Sequence, residues 1–157
     1  MFRILRAILE PMEPKRNKKA YFDYEHLETF EAGIQLTGSE VKSVKTGLIN
    51  LEGSYIVLNN GEALLKSAKI ARYPKASPEQ TAYDPERPKR LLLTKKELNH
   101  LAAAVNTPGL TIVPLFMYIS KRLVKVKIAL ARGKRKFDKR AAIKEKEYKR
   151  RLNSRVR

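Results

Sequence analysis

The central part of the chain alternates between apolar and polar residues with a period of two, which is typical of β-strands with one buried face. Residues 30–37 show this alternation, and the aromatic-rich residues 21–28 lie directly before them. We therefore expect one long first strand that is bent, with Gly33 supplying the bend.

A β-hairpin is predicted farther along the chain. Residues 54–58 and 62–66 flank an Asn-Asn-Gly sequence at 59–61. Asn-Gly between short β-rich runs is a strong hairpin signal, because both residues accept positive φ. We expect the second of these strands to continue toward Ile70.

Two more strands close the pattern. Residues 111–119 are apolar on both faces, which indicates a central or covered strand. Residues 123–130 alternate cleanly, which places Lys125 and Lys127 on the outward face.

Helices interrupt these strands. We predict a helix over residues 40–46, with Ser39 as its N-cap and Gly47 as its left-handed end. A second helix begins at the Thr-Lys-Lys-Glu capping box of residues 94–97. Between them, residues 73–89 contain four prolines and little periodicity, which predicts a long loop.

Five to six strands with two or three inserted helices favour a mainly β domain, and a small, partly closed barrel over a sandwich. An oligonucleotide-binding (OB) barrel is the leading candidate. Such barrels bind nucleic acid with an exposed sheet face and loops, and Lys125 and Lys127 would lie on such a face.

The residue types exclude several classes of protein. The 157 residues contain no cysteine, which rules out disulfides, thiolate metal sites and cysteine nucleophiles. His26 and His100 are far apart in the sequence, which argues against a zinc site or a histidine-dependent triad. No apolar run approaches the ~20 residues of a membrane span. We expect no metal, no cofactor and no catalytic residue.

Positive charge is concentrated at the two ends of the chain. Of the net charge of +18, +10 falls in residues 131–157 and +4 in residues 1–19. Such ends stay extended until a polyanion neutralises them, and the commonest such partner is nucleic acid. A solubilising tail is the alternative, but Phe137 and Tyr148 add stacking surfaces that solubility does not require.

These observations divide the chain into a basic N-terminal extension (1–19), a barrel (20–130) and a basic tail (131–157). Met12 could itself be a start codon, which would make residues 1–11 an upstream extension, and we assign them no function. The few apolar residues of the tail cannot offset the entropy of ordering it, so we expect it to be disordered when free.

Several short segments then follow one another in a specific order. They are NKKA (17–20), FEAGI (30–34), LTGSEVKS (36–43), GSY (53–55), DP (84–85) with Arg87, KRLLL (89–93), GLT (109–111), KVK (125–127) and ARGKRKFDKR (131–140). In this order and spacing they resemble the SsrA-binding protein (small protein B) family. The chain departs from the family at Phe137 and Tyr83, where relatives often have His.

The resemblance implies a bacterial ribosome-rescue factor of trans-translation, and not an enzyme. Proteins of this family bind the tRNA-like domain of transfer-messenger RNA and carry it to ribosomes stalled on truncated messages. The implied fold is an OB-type barrel whose tail becomes helical in the empty mRNA channel of the small ribosomal subunit. The implied partners are transfer-messenger RNA, the ribosome and, indirectly through the aminoacylated RNA, elongation factor Tu. A cytoplasmic monomer without membrane contact is expected.

The resemblance also places RNA contacts at Glu31, Leu92 and Lys125. Glu31 would accept hydrogen bonds from base amino groups, Lys125 would neutralise a phosphate, and Leu92 would contact an unstacked base. The alternatives are a surface salt bridge between Glu31 and Lys42 or Lys45, and a core position for Leu92.

Two further groups complete the candidate site. Asn17, Lys18 and Lys19 form a smaller basic segment, for which a frayed terminus is the alternative, and Lys127 shares the face of Lys125. In the tail, the resemblance assigns the following residues to the decoding centre: Gly133, Lys134, Arg135, Lys136, Phe137, Asp138, Lys139 and Arg140. Phe137 would stack on a ribosomal base, and Asp138 would cap a helix that starts at Lys139.

Other functions remain as alternatives. A general nucleic-acid-binding barrel or ribosomal protein without specificity for transfer-messenger RNA explains the charge and the fold equally well. A hydrolase using Glu31 and Glu40 has no clustered third acid, nucleophile motif or phosphate-binding glycine loop to support it. We interpret Glu40 as a structural residue at a helix N-terminus.

Overall fold

The computed structural model describes residues 14–76 and 83–155. Its elements, in chain order, are β1 (Lys15–Arg16), α1 (Lys18–Asp23), β2 (Tyr24–Ile34), α2 (Gly38–Lys45), β3 (Ile49–Asn50), β4 (Tyr55–Asn59), β5 (Glu62–Lys66), β6 (Lys69–Ile70), β7 (Lys89–Leu92), α3 (Lys95–Ala104), β8 (Leu110–Ser120), β9 (Leu123–Gly133) and α4 (Lys136–Arg155). The proposed start at Met12 and part of the proline-rich loop lie outside the described residues.

Six strands close a barrel within the described part of the chain. Neighbours follow the order β8, β4, β5, β7, β2, β9, and β9 pairs with β8 to close the ring. The short β1 adds to β8, while β3 and β6 form a separate two-stranded sheet. The predicted mainly β barrel with inserted helices is confirmed.

Two apolar clusters hold this barrel together. Alternate residues of β9, including Val126 and Ile128, fill the interior, as the period of two predicted. A second cluster lies outside the barrel, where Ala20 of α1 covers Val113 of β8 and Ala129 of β9. Strand β8 is therefore covered on both faces at this end, which explains why its sequence is apolar on both.

The hairpin prediction is confirmed, because Asn59 pairs with Glu62, and Asn60 and Gly61 form the turn at φ of 48° and 74°. The predicted continuation of β5 toward Ile70 is wrong. Ser67 adopts φ of 59°, and the chain turns away to pair Ile70 with β3.

The long first strand was predicted too long. Residues 21–23 belong to α1, and β2 begins at Tyr24. The irregularity in its pairing with β9 lies between His26 and Glu28, and not at Gly33. The N-cap of α2 is Thr37, not Ser39, because Thr37 forms a capping box with Glu40.

Candidate nucleic-acid interface

Four residues that the sequence predicted as RNA contacts come together on one outer face of the barrel. Strand β2 lies between β7 and β9, and the register places Glu31 opposite Lys127, and Gly33 opposite both Lys125 and Leu92. Side chains of cross-strand partners point to the same side of a sheet. We call this surface, which Glu31, Leu92, Lys125 and Lys127 define, the open face.

Glu31 accepts hydrogen bonds from its neighbour strand β9 and from β8, the next strand beyond it. Lys125 Nζ donates to Glu31 Oε1 at 2.8 Å, and the hydroxyl of Tyr118 donates to Glu31 Oε2. The bond from Lys125, and then that from Tyr118, lowers the pKa of Glu31, so its side chain is an anion at neutral pH. Glu31 therefore does form a salt bridge, but with Lys125 and not with Lys42 or Lys45.

Tyr118 is a residue of this face that sequence reasoning missed. Burial, and next its hydrogen bond to Glu31, raises the pKa of Tyr118 to about 12. The phenol therefore stays protonated and remains a donor throughout the physiological range. Residues 111–119 are apolar on both faces, so the sequence alone did not single out this ring.

The two lysines of the open face differ in their pairing. The ammonium of Lys125 is engaged by Glu31. Lys127 lies on the same face and acts on Glu31 only through longer-range attraction. Among the described residues, it has no salt-bridge partner. Of the two lysines, Lys127 is therefore the one whose ammonium is free to bind a phosphate.

Leu92 is a surface residue and is 49% exposed. It lies over Gly33, where an added Cβ atom would be only 3.3 Å from Leu92 Cβ. The alternative of a core position for Leu92 is therefore wrong. The absence of a side chain at Gly33 lets Leu92 lie close to the sheet beside Lys125.

Asn17 is buried, and its polar atoms are engaged within the protein. Its Nδ2 donates to the carbonyls of Leu51 and Pro114, each at 3.0 Å, and its Oδ1 accepts from the N–H of Ala20. The prediction that its side chain contacts RNA is corrected accordingly. Asn17 instead caps α1 and positions the exposed Lys18 and Lys19.

Two buried charged residues, Glu40 and Lys89, hold the loop before β7 in place, and the sequence reasoning missed Lys89. Glu40 is buried and accepts hydrogen bonds from Arg87 Nε and Nη2 at 2.8–3.2 Å, which raise the pKa of Arg87. Lys89 is buried and donates to the carbonyls of Ala68 and Pro85 at 2.7 and 3.0 Å. Burial lowers the pKa of Lys89. Glu40 is thus structural, as interpreted, and Lys89 fixes the start of the strand that carries Leu92.

The tail leaves the barrel beside α1. The N–H of Lys134 donates to the carbonyl of Asp23 at 2.8 Å, and Lys139 Nζ lies 3.1 Å from Asp23 Oδ1. Helix α4 begins at Lys136, so the predicted cap at Asp138 is wrong. Asp138 lies in the first turn, where its charge complements the helix dipole. Phe137 is 79% exposed and free to stack on a partner.

Residues 14–76 and 83–155 contain neither a candidate metal site nor a candidate membrane-spanning helix. No group of three or more His, Cys, Asp or Glu side chains there could hold a metal ion. No helix in these ranges is long and apolar enough to cross a membrane.

Comparisons with known proteins agree on one family. Residues 15–157 match the family model described as SmpB protein. The chain is 48% identical over 138 residues to the SsrA-binding protein of Thermosipho africanus, and this alignment covers 87% of the chain and 91% of the relative. The SsrA-binding protein of Sulfurihydrogenibium sp. is 50% identical over 136 residues, covering 87% and 88%. A solved structure described as "tmRNA-SmpB: a journey to the center of the bacterial ribosome" is 43% identical with a TM-score of 0.66, covering 83% of this chain and 94% of its own.

Proposed function

Because this chain belongs to the SmpB protein family, we propose that it is an RNA-binding factor of trans-translation. It binds the tRNA-like domain of transfer-messenger RNA and delivers this RNA to ribosomes stalled on truncated mRNA. The observation that carries this proposal is the open face, where Glu31, Leu92, Lys125 and Lys127 meet on a barrel similar to one solved in a tmRNA–SmpB structure.

The open face suits unpaired RNA. The free ammonium of Lys127 binds a phosphate, and the exposed Leu92 contacts an unstacked base. The carboxylate of Glu31 keeps lone pairs beyond its two internal bonds, and these accept from base amino groups. Lys18 and Lys19 contribute further phosphate contacts at one side.

The tail performs the second half of the function. Residues 133–140 reach the decoding centre, and the helix that follows them occupies the empty mRNA channel of the small ribosomal subunit. Exposed Phe137 stacks on a ribosomal base. In the structure of the chain alone the tail forms helix α4, which Lys139 joins to Asp23. We expect this helix to be disordered in the free protein in solution and to become ordered on the ribosome, where rRNA neutralises its cations.

This function also implies a mode of action, an oligomeric state, a cellular location and an indirect partner. The protein acts by binding and not as an enzyme, and it needs neither a metal nor a cofactor. It works as a monomer in the bacterial cytoplasm, and elongation factor Tu joins it indirectly through the aminoacylated transfer-messenger RNA.

A binding comparison tests the function against the alternative of an unspecific barrel. Full-length protein and a form ending at Arg135, just beyond β9, are titrated with the tRNA-like domain and with a size-matched control RNA. The salt concentration is about 0.2 M, where binding by charge alone is weak. We expect both forms to bind the specific RNA tightly and the control poorly. Equal binding of the two RNAs would refute the function.

A further inference from the structure

We propose that Phe116 and Tyr118 form an aromatic platform on which an unpaired RNA base stacks, and that Arg16 beside them binds a phosphate of the same RNA segment. This inference rests on the proposed function, because it extends the open face across β8 to β1. It names the feature of the RNA that this part of the protein recognises.

The register of three strands brings these side chains together. Tyr118 lies opposite Lys125, and Phe116 lies opposite Lys127. On the other edge of β8, Arg16 of β1 lies opposite Phe116. Since cross-strand partners share a face, one row of side chains runs from Arg16 through Phe116 to Lys127. The neighbouring row continues from Tyr118 to Lys125.

The two rings are close and firmly held. Their centroids are 5.6 Å apart and their planes are inclined by 48°. Met117 between them is fully buried, which fixes the orientation of the strand. Phe116 packs against the cluster under α1, and the hydroxyl of Tyr118 donates to Glu31. A ring that is already fixed loses little conformational entropy when a base stacks on it.

The charges around the rings favour RNA over an apolar protein segment. Arg16, Lys125 and Lys127 surround the platform, and the carboxylate of Glu31 is engaged by Lys125 and Tyr118. An apolar segment would desolvate these cations without compensation. An RNA strand supplies a π-face for the rings and phosphates for the cations.

Substitutions in the platform should change the measured affinity for RNA and its salt dependence. Loss of a stacked base typically reduces affinity by roughly 5- to 150-fold. We expect Tyr118→Ala to show such a loss for the tRNA-like domain of transfer-messenger RNA. Tyr118→Phe, which keeps the ring and removes the hydroxyl, should lose less than about threefold. Arg16→Ala should reduce the slope of log K against log salt by about 0.7.

The decisive experiment combines protein and RNA changes. Full-length wild type and variants are titrated with the intact tRNA-like domain and with versions carrying one abasic site at each unpaired loop position. The platform predicts one abasic RNA that wild type and Tyr118→Ala bind equally, because the stacked base is missing from both complexes. Tyr73→Ala is the matched control, since Tyr73 also lies near a lysine ammonium, that of Lys42 at 5.7 Å, but belongs to none of the strands that carry the open face or the platform.

Each outcome decides the question. If Tyr118→Phe loses as much affinity as Tyr118→Ala, the hydroxyl and not the ring is the functional group, and the platform is wrong. It is equally wrong if every abasic RNA still shows the full effect of Tyr118→Ala. Thermal melting verifies folding, and Tyr118→Leu replaces the alanine variant if that fails to fold. Wild type that does not prefer the tRNA-like domain over a size-matched RNA would instead overturn the proposed function itself.

Discussion

Replacing Glu31 with alanine should weaken binding to transfer-messenger RNA and at the same time strengthen binding to unrelated RNA. In the structure the carboxylate holds the ammonium of Lys125 at 2.8 Å and compensates its charge. The substitution frees this cation for any phosphate. It also removes the acceptor that we propose for base amino groups.

The two effects have different sizes. One additional phosphate contact steepens the slope of log K against log salt by about 0.7, which is roughly threefold in affinity between 50 and 200 mM salt. Loss of a contact to a base edge typically reduces affinity by roughly 5- to 150-fold. The preference of Glu31→Ala for the tRNA-like domain over a control RNA should therefore fall by about tenfold or more.

Fluorescence anisotropy with both RNAs at several salt concentrations measures this change. Glu28→Ala is the matched control, because Glu28 lies on the same strand and its carboxylate lies 2.9 Å from His100 Nε2, away from Lys125. It removes the same charge and should leave the preference unchanged. The reasoning is refuted if Glu31→Ala changes the affinity for both RNAs by the same factor, or if Glu28→Ala reproduces its effect.

Four further predictions follow. Lys89→Ala removes a buried side chain together with its hydrogen bonds to the carbonyls of Ala68 and Pro85, so it should lower the free energy of unfolding, measured with urea, by about 2–4 kcal/mol, while the exposed Lys96→Ala changes it very little. Gly33→Ala would place a Cβ atom only 3.3 Å from Leu92 Cβ, so it should displace Leu92 and weaken binding of the tRNA-like domain severalfold. Unchanged binding would contradict this. Phe137→Ala should keep binding of the tRNA-like domain but weaken delivery of transfer-messenger RNA to stalled ribosomes, measured by its co-sedimentation with them, and normal delivery would exclude the stacking role. The pKa of Glu31 is lower in the folded than in the unfolded protein, so its ionisation stabilises the fold above about pH 4.3. This contribution is lost as the pH falls through the pKa of the folded state. In urea unfolding at several pH values, Glu31→Gln should therefore show a weaker pH dependence of the free energy of unfolding in this range than wild type.

Local patterns were sufficient for much of the fold. The turn at Asn60-Gly61 and the capping box at Thr94 are satisfied by neighbouring residues, so their sequence signals were reliable. The inward and outward sides of β9 followed from its alternation. The exposed tail residue Phe137 was likewise evident, because almost no core-forming residue surrounds it in the sequence.

The errors occurred where distant residues decide. Helix α1 replaced the start of the predicted strand because Asn17 bonds carbonyls of Leu51 and Pro114, which are 34 and 97 positions away. Lys89 was unremarkable in the sequence, yet it is buried because two carbonyls converge on its ammonium. Local propensity contains no information about such partners.

For the candidate site too, some features were evident from the sequence and others were decided only by the tertiary structure. The order of the family motifs was enough to name Glu31, Leu92 and Lys125, and alternation placed Glu31 and Lys125 outward. The exposure of Leu92 was decided only by the structure. Only the barrel register decided that Glu31 pairs with Lys125, 94 positions away, and that Tyr118 joins them from β8. The physical reason is that periodicity determines which side of its own strand a residue occupies, whereas its neighbours across the sheet depend on how the closed barrel aligns strands far apart in the chain.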